Sequence, residues 1–137
     1  TKSEIDQLVL SAVRERIEKH YDYSYLAARI LVHDLYKSIL DRYMNASDLD
    51  SVYQDHFESF IRKGIELEML TPELGQFDLK KLGKALVPNR DQLFTYLGVQ
   101  ILADRYFLRD RTLERNIYEL PQMFWMRVAM GLAFLPS

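Results

Sequence analysis

The three histidines are the first residues of this sequence whose chemistry could support metal binding or catalysis. His20, His33 and His56 lie far apart in the chain. A di-metal site in a helical bundle needs Glu-x-x-His pairs that face inward from two helices, and no Glu stands three residues before any of these histidines. His56 beside Asp55 or Glu58 is a weak substitute. We therefore predict no metal site, and we expect histidines at the surface or half-buried with ordinary hydrogen bonds.

Two acidic pairs could suggest paired-carboxylate catalysis. Asp48 with Asp50 and Glu66 with Glu68 are each two residues apart, and residues at that spacing do not share a helix face. Asp48 and Asp50 are better explained as first-turn acids that favour the positive end of a helix dipole. We therefore predict no catalytic residue in this chain.

A small basic cluster and the aromatic residues are the remaining candidates. Lys80, Lys81 and Lys84 could meet a phosphate, but no Gly-rich phosphate loop accompanies them. Charge on a short amphipathic helix usually marks a solvated face. The nine tyrosines and Trp125 mostly fall at helical spacing beside aliphatic residues, which favours core packing over stacking or radical chemistry.

Composition excludes several classes of protein. Eighteen basic and twenty acidic residues give a net charge of −2, which argues against nucleic acid as a partner. The absence of cysteine excludes disulfides, thiolate zinc sites and thiol nucleophiles, and no apolar run approaches the roughly 20 residues that span a bilayer. We expect one soluble, cytoplasmic domain over residues 1–137 without a membrane partner. Neither end resembles a natural terminus, and we expect a piece of a longer polypeptide.

Helical periodicity predicts an all-α, irregular multihelical domain of about six helices. In the first half, Ser3 and Asp6 resemble a capping box, and an apolar stripe follows to a helix end near His20. Asp22 is expected to cap a second helix, and a third runs to about Leu70 with Gly64 as a kink, local end or tight contact. A break at Asn45-Ala46-Ser47-Asp48 separates the second helix from the third. The residues expected to face inward in these three helices include Ile5, Leu8, Val9, Ala12, Val13, Ile17, Leu26, Ile30, Leu31, Leu35, Ile39, Leu40, Tyr43, Val52, Phe57, Phe60, Ile61, Ile65 and Met69.

The second half of the sequence has clearer signals for where helices begin and end. Asp78 begins a short helix, and the segment 87–91 stops it and begins the next, whose inward residues are Leu93, Phe94, Leu97, Ile101 and Leu102. The region 106–119 breaks the helical rhythm and predicts a small β-hairpin or an irregular excursion. Pro121 opens a strongly apolar helix, expected to be buried on most sides as a connector within a larger protein.

Four ordered blocks resemble the helical domain at the start of class I ribonucleotide reductase large subunits. They cover nearly the whole chain in the family's order and spacing, which is more specific than any single short motif. The blocks are Tyr23-Ser24-Tyr25-Leu26-Ala27-Ala28-Arg29; Phe57-Glu58-Ser59-Phe60-Ile61 with Gly64-Ile65-Glu66-Leu67-Glu68 and Phe77-Asp78-Leu79; Arg90-Asp91 with Phe94-Thr95-Tyr96-Leu97-Gly98 and Asp104-Arg105-Tyr106-Phe107; and Leu120-Pro121-Gln122-Met123-Phe124-Trp125-Met126-Arg127-Val128-Ala129-Met130-Gly131.

The resemblance implies a structural and regulatory domain of a ribonucleoside-diphosphate reductase. The full enzyme would reduce ribonucleoside diphosphates to deoxyribonucleotides for DNA replication, under allosteric control by ATP and dNTP effectors. It would use a radical from a small metal-containing subunit and form a homodimer. The family's catalytic barrel, redox cysteines and radical-relay tyrosines would lie beyond Ser137, in agreement with the absence of cysteine. No catalytic residue and no cofactor are therefore carried over to this chain.

One site residue follows from the resemblance. Residues 1–44 resemble the junction with an upstream ATP-binding lobe, and Lys37 matches a position from which a lysine reaches effector phosphate in relatives that carry the lobe. The alternative for Lys37 is a solvent-exposed helix lysine. Asp6 falls where some relatives place an effector-contacting side chain, but the residue type differs and the role is not transferred.

Two other functions remain open from the sequence. The chain could be a stand-alone helical adaptor whose aromatic C-terminal helix binds a partner protein. It could also be a metal-dependent helical enzyme, which would need inward carboxylates and histidines on facing helices.

Overall fold

The computed structural model describes residues 1–40, 47–111 and 114–134, and these form an all-α domain. Within this part of the chain there are six α-helices and two 3-10 helices but no strand, which confirms the predicted fold class. The α-helices are α1 Lys2–Arg14, α2 Asp22–Leu40, α3 Leu49–Glu66, α4 Leu79–Lys84, α5 Tyr96–Arg105 and α6 Pro121–Leu132, and the 3-10 helices are Pro72–Gln76 and Pro88–Leu93. The predicted inward Tyr43 and the break at Asn45-Ala46 lie outside the described residues.

The first helix begins and ends earlier than predicted. Thr1 caps α1 by accepting a hydrogen bond from the Glu4 amide, and the Glu4 side chain returns to the Thr1 amino group. The predicted box at Ser3 and Asp6 is therefore wrong, because the helix already starts at Lys2. The helix ends at Arg14 and not near His20. The amides of Arg16, Ile17 and Lys19 bond to carbonyls three residues back, and the chain continues as turns.

The core lies between α2, α3 and α6. The α3 residues Tyr53, Phe57 and Phe60 are fully buried, as is Met123 of α6. The second helix packs against α5, and its small residues Ala27 and Ala28 are buried. Helix α6 buries only one face: Trp125 and Leu132 remain 50% and 60% exposed, so the prediction of burial on most sides is wrong.

Two glycines mark close approaches of the backbone. A Cβ at Gly83 of α4 would lie 2.6 Å from the Gln54 carbonyl oxygen of α3, so this pair of helices packs with no room for a side chain. The Gly64 carbonyl accepts hydrogen bonds from Met69 and Leu70 as α3 ends at Glu66. The predicted local end and tight contact at Gly64 are confirmed, although the helix stops four residues before the expected Leu70.

The helix predicted to begin at residue 91 is divided in two. The 3-10 helix Pro88–Leu93 is followed by extended backbone at Phe94, and Thr95 caps α5 by accepting from the Gly98 amide. This break changes which side chains face the core. Leu93 and Leu97 are 75% and 67% exposed, and Ile101 is also exposed, so their predicted burial is wrong; Val99 and Ala103 are buried instead.

The region between α5 and α6 pairs antiparallel over a short distance. Arg109 and Ile117 form one isolated bridge, and the Tyr118 amide donates to the Leu108 carbonyl oxygen at 2.8 Å. The hairpin suggested for 106–119 is therefore present in the described residues as a single bridge without strands. No described helix is both long enough and apolar enough to span a membrane.

Candidate functional site

The residue predicted to contact an effector, Lys37, lies where α1 crosses α2. Its Nζ is 3.1 Å from Oδ2 of Asp6 on α1 and 3.6 Å from Oδ1 of Asp34, one turn earlier on α2. Lys37 and Asp6 are both partly buried. Among the described residues, Lys37 therefore pairs with one carboxylate on each of the two helices and joins α1 to α2.

A pocket of about 380 Å³ surrounds Lys37, and it leads to a larger cleft. Arg29 and His33 of α2 line both spaces. The cleft measures about 620 Å³ and lies between α2, the start of α3 and the second 3-10 helix. Its lining combines buried apolar and polar residues with exposed ones: Arg29, Val32, His33, Tyr36, Leu49, Asp50, Pro88, Asn89, Asp91 and Gln92.

A buried carboxylate forms part of the cleft wall. Oδ2 of Asp91 accepts hydrogen bonds from the hydroxyls of Tyr36 at 2.7 Å and Tyr53 at 3.1 Å, and Oδ1 accepts from Nε2 of Gln122 at 2.8 Å. The Tyr53 hydroxyl also accepts a hydrogen bond from the backbone amide of Gln122 at 2.9 Å. We call these four residues the Asp91 network. It joins α2, α3, the second 3-10 helix and the first turn of α6.

Burial dominates the electrostatics of this network. It raises the pKa of Asp91 to about 6, although the hydrogen bonds from Tyr36, Gln122 and Tyr53 act in the opposite direction. Burial and the Asp91 charge raise the pKa of both tyrosine hydroxyls, which stay protonated and act as donors. At neutral pH the network is a carboxylate held by three neutral donors.

A second buried charge fixes the segment before α6. Glu119 is fully buried and forms a two-point ion pair with Arg127, at 2.6 Å from Nε and 3.0 Å from the terminal nitrogen. Glu119 also accepts from the Leu108 amide at 3.0 Å. Burial raises the pKa of Glu119, and the charge and hydrogen bonds of Arg127 oppose that rise. The pair therefore ties the bridge region to α6.

These arrangements suit binding and coupling more than catalysis. The Asp91 oxygens are already occupied by three donors, so the carboxylate is poorly placed to take a proton from a substrate. The described residues hold no group of three or more His, Cys, Asp or Glu residues that could bind a metal. His20 and His33 are exposed and His56 is half-buried, and the lysines of α4 are exposed as predicted for a solvated face.

Sequence reasoning missed both buried acids. The sequence places Asp91 in a segment that ends one helix and begins the next, and Glu119 in a segment without helical rhythm. Neither position carries an apolar pattern that would place it in the core, since each lies in a polar or irregular stretch of the chain. The single available signal was that Arg90-Asp91 belongs to one of the four family-like blocks.

Comparison with known proteins gives a consistent result. The family described as "Ribonucleotide reductase, all-alpha domain" matches residues 92–135. The chain is 45% identical over 133 residues to the ribonucleoside-diphosphate reductase subunit alpha of Chlamydia muridarum, and 33% identical over 134 residues to that of Helicobacter pylori. It is 29% identical over 133 residues to the subunit alpha of enterobacteria phage T4. No solved structure matches the chain significantly.

These alignments use nearly all of this chain and a small part of each relative. They cover 96%, 97% and 96% of the chain, but 12%, 16% and 17% of the Chlamydia, Helicobacter and phage proteins. The similarity therefore concerns one helical region of much longer polypeptides. The comparisons confirm the resemblance that the four sequence blocks indicated: the chain is similar to the N-terminal all-alpha domain of ribonucleoside-diphosphate reductase large subunits.

Proposed function

We propose that this chain is the structural and regulatory helical domain of a cytoplasmic ribonucleoside-diphosphate reductase. The full enzyme would reduce ribonucleoside diphosphates to deoxyribonucleoside diphosphates for DNA replication. Its partners would be a catalytic barrel in the same subunit, a radical-supplying metal subunit and a second large subunit. The observation that supports this role most is similarity to reductase alpha subunits along 96% of the chain, at up to 45% identity.

The regulatory part of the proposal rests on a continuous set of contacts. Lys37 of α2 forms a hydrogen bond with Asp6 of α1, and the adjacent residue on α2, Tyr36, donates a hydrogen bond to Asp91. Asp91 bonds to Gln122, in the first turn of α6. A movement of α1 against α2 would thus reach the start of α6 through packed, hydrogen-bonded groups, which is the physical basis that coupling between distant sites requires.

We propose that exposed apolar residues of α5 and α6 dock against the rest of the large subunit. Leu97, Ile101, Trp125 and Leu132 are large apolar residues with 41–67% of their surface exposed. Exposed apolar patches commonly mark interaction sites. Trp125 is the sole tryptophan, so its fluorescence reports on that surface without labelling.

The docking role is tested on the isolated chain with a polarity-sensitive hydrophobic dye. We expect the dye to bind and to quench or shift Trp125 emission, and we expect Trp125→Gln to reduce dye binding. Tyr21→Gln is the matched control, because Tyr21 is also an exposed aromatic residue but lies far from Trp125 in the sequence. A tightly folded monomer that binds no dye would contradict docking through α6.

We also propose that Lys37 contacts the phosphate of a nucleotide effector in the longer protein. To do so it must exchange Asp6 and Asp34 for phosphate oxygens, and these carboxylates would compete with the effector. In the full-length large subunit, Lys37→Gln should weaken the response of reductase activity to ATP and dATP while basal activity persists. Lys19→Gln, an exposed lysine in the turn after α1, is the control. An unchanged nucleotide response would leave Lys37 with its structural ion pair alone.

A further inference from the structure

A second polar pocket lies on the other side of α3, away from the Asp91 network. It has a volume of about 440 Å³ and is formed by α2, α3 and the bridge region. Its lining is mostly polar: Ser38, Ile39, His56, Ser59, Lys63, Asp110, Asn116, Ile117 and Tyr118. None of these residues takes part in the proposed docking or effector contacts.

His56 is the unusual group in this pocket. Its Nε2 is buried and has no hydrogen-bond partner within the described part of the chain. A buried polar atom without a partner is costly, by roughly 1–3 kcal/mol. Burial lowers the pKa of His56, and the positive charge of Lys63 lowers it further.

The described lining of the pocket includes a cationic residue, Lys63, and an anionic residue, Asp110. Lys63 lies two helical turns beyond His56 on the same face of α3, and its Nζ is 5.9 Å from the centre of the Tyr118 ring. The Ser59 hydroxyl donates to the His56 carbonyl oxygen at 2.8 Å. In the bridge region, the Asp110 carboxylate accepts a hydrogen bond from the backbone amide of Asn116 at 3.1 Å. The Lys63 side is therefore the side that can receive an anion.

We propose that this pocket binds a small oxyanion, a carboxylate or a phosphate, between the imidazole of His56 and the ammonium group of Lys63. The anion supplies the acceptor that the imidazole Nε2–H lacks and neutralises the lysine charge beside it. Asp110 lines the same pocket, and its negative charge favours an anion beside Lys63 over one beside Asp110. The proposal does not depend on the reductase role, because it uses none of the same residues.

Binding at this site takes up a proton. Among the residues that the structure describes, the charged ones that line the pocket with His56 are Lys63 from its own helix and Asp110 from the bridge region; Tyr118 is uncharged, and α2 contributes Ser38 and Ile39. A bound anion reverses the effect of Lys63, and it therefore raises the pKa of His56. The other two histidines, His20 and His33, are exposed and serve as internal references.

The test is a pH titration of the imidazole resonances of the chain by NMR, with inorganic phosphate, with acetate, and with chloride at equal ionic strength. We expect one or both oxyanions to increase the proton affinity of His56 roughly tenfold, the size of effect that a nearby opposite charge produces. Phosphate alone identifies a phosphate site, acetate alone a carboxylate site, and both together a general oxyanion site. Chloride should leave His56 unchanged.

Lys63→Gln separates this site from a general salt effect. The exposed Lys63 can be replaced without disturbing the core, and the variant should raise the pKa of His56 in chloride and remove its response to oxyanions. Lys80→Gln, on α4, is the matched control and should retain the response. The proposal is overturned if His56 does not respond, if His20 and His33 respond equally, or if Lys63→Gln responds as the unmodified chain does.

Discussion

Replacement of Asp91 by Asn should remove a large part of the pH dependence of stability. Burial raises the pKa of Asp91 from its ordinary 3.8 to about 6. A shift of roughly two units corresponds to about 3 kcal/mol, at about 1.4 kcal/mol per unit. Because only 2% of Asp91 is exposed, solvent screening reduces this figure little. Asn keeps a carbonyl oxygen for the tyrosine hydroxyls and has no charge to desolvate.

The direction follows from proton linkage. A carboxyl group whose pKa is raised by folding stabilises the fold fully below pH 3.8, and this contribution is lost as the pH rises through about 6. The stability of the unmodified chain relative to Asp91→Asn should therefore fall by about 3 kcal/mol between pH 4 and pH 7. Other acid-sensitive groups are present in both proteins, and their effects cancel in the difference.

The measurement is urea unfolding followed by far-ultraviolet circular dichroism at pH 4, 5, 6 and 7. Any constant cost of lost hydrogen bonds in Asp91→Asn moves all four differences equally and leaves the slope unaffected. Asp55→Asn, at an exposed position of α3, removes the same formal charge and is the control. A pH-independent difference in stability between the unmodified chain and Asp91→Asn would refute the assignment of a desolvated carboxylate. A stability of the unmodified chain that rises relative to Asp91→Asn with increasing pH would show that the pKa shift has the opposite sign.

Two further predictions concern packing and the second buried acid. Gly83→Ala should destabilise the fold by about 1–3 kcal/mol, because its Cβ would meet the Gln54 carbonyl oxygen at 2.6 Å; Gly131→Ala, with no described atom within 4 Å, should be neutral or stabilising by up to ~1 kcal/mol in the same thermal unfolding assay. Arg127→Met should cost about 3–5 kcal/mol because it leaves the fully buried Glu119 unpaired, and adding Glu119→Gln should recover part of that loss in urea unfolding. Equal effects of the two alanines, or no recovery in the double variant, would contradict these readings.

Local chemistry predicted some element boundaries correctly. Asp78 caps α4 by accepting from the Lys81 amide, and Pro121 occupies the first turn of α6, as their residue types indicated. These features depend on neighbours within three or four residues, which the sequence displays directly. The capping box of α1 was misplaced because Thr1 competes with Ser3 for the same role, and both residue types favour it.

The Asp91 network could not be predicted, because long-range packing creates it. Asp91 is 55 residues from Tyr36, 38 from Tyr53 and 31 from Gln122 along the chain. Each of these residues had a plausible local role, with the tyrosines at core-like helical spacing and Gln122 as a polar interruption of α6. Their meeting depends on how four elements pack, which no local pattern contains.

The exposed apolar residues show a different limit of sequence patterns. Helical periodicity correctly indicates that Ile5, Leu8 and Val9 share one face of α1, yet they are 48–70% exposed in this chain. A three-to-four-residue period indicates that one face of a helix is apolar, but it does not indicate what covers that face. A core and a docking surface of a longer protein need the same pattern. The relatives extend far beyond the matched region, with this chain covering 12–17% of their length. Under the proposed function, the stripes on α1 and α5 are surfaces adapted to other parts of a large subunit, and the pattern that predicted their burial also accounts for their exposure here.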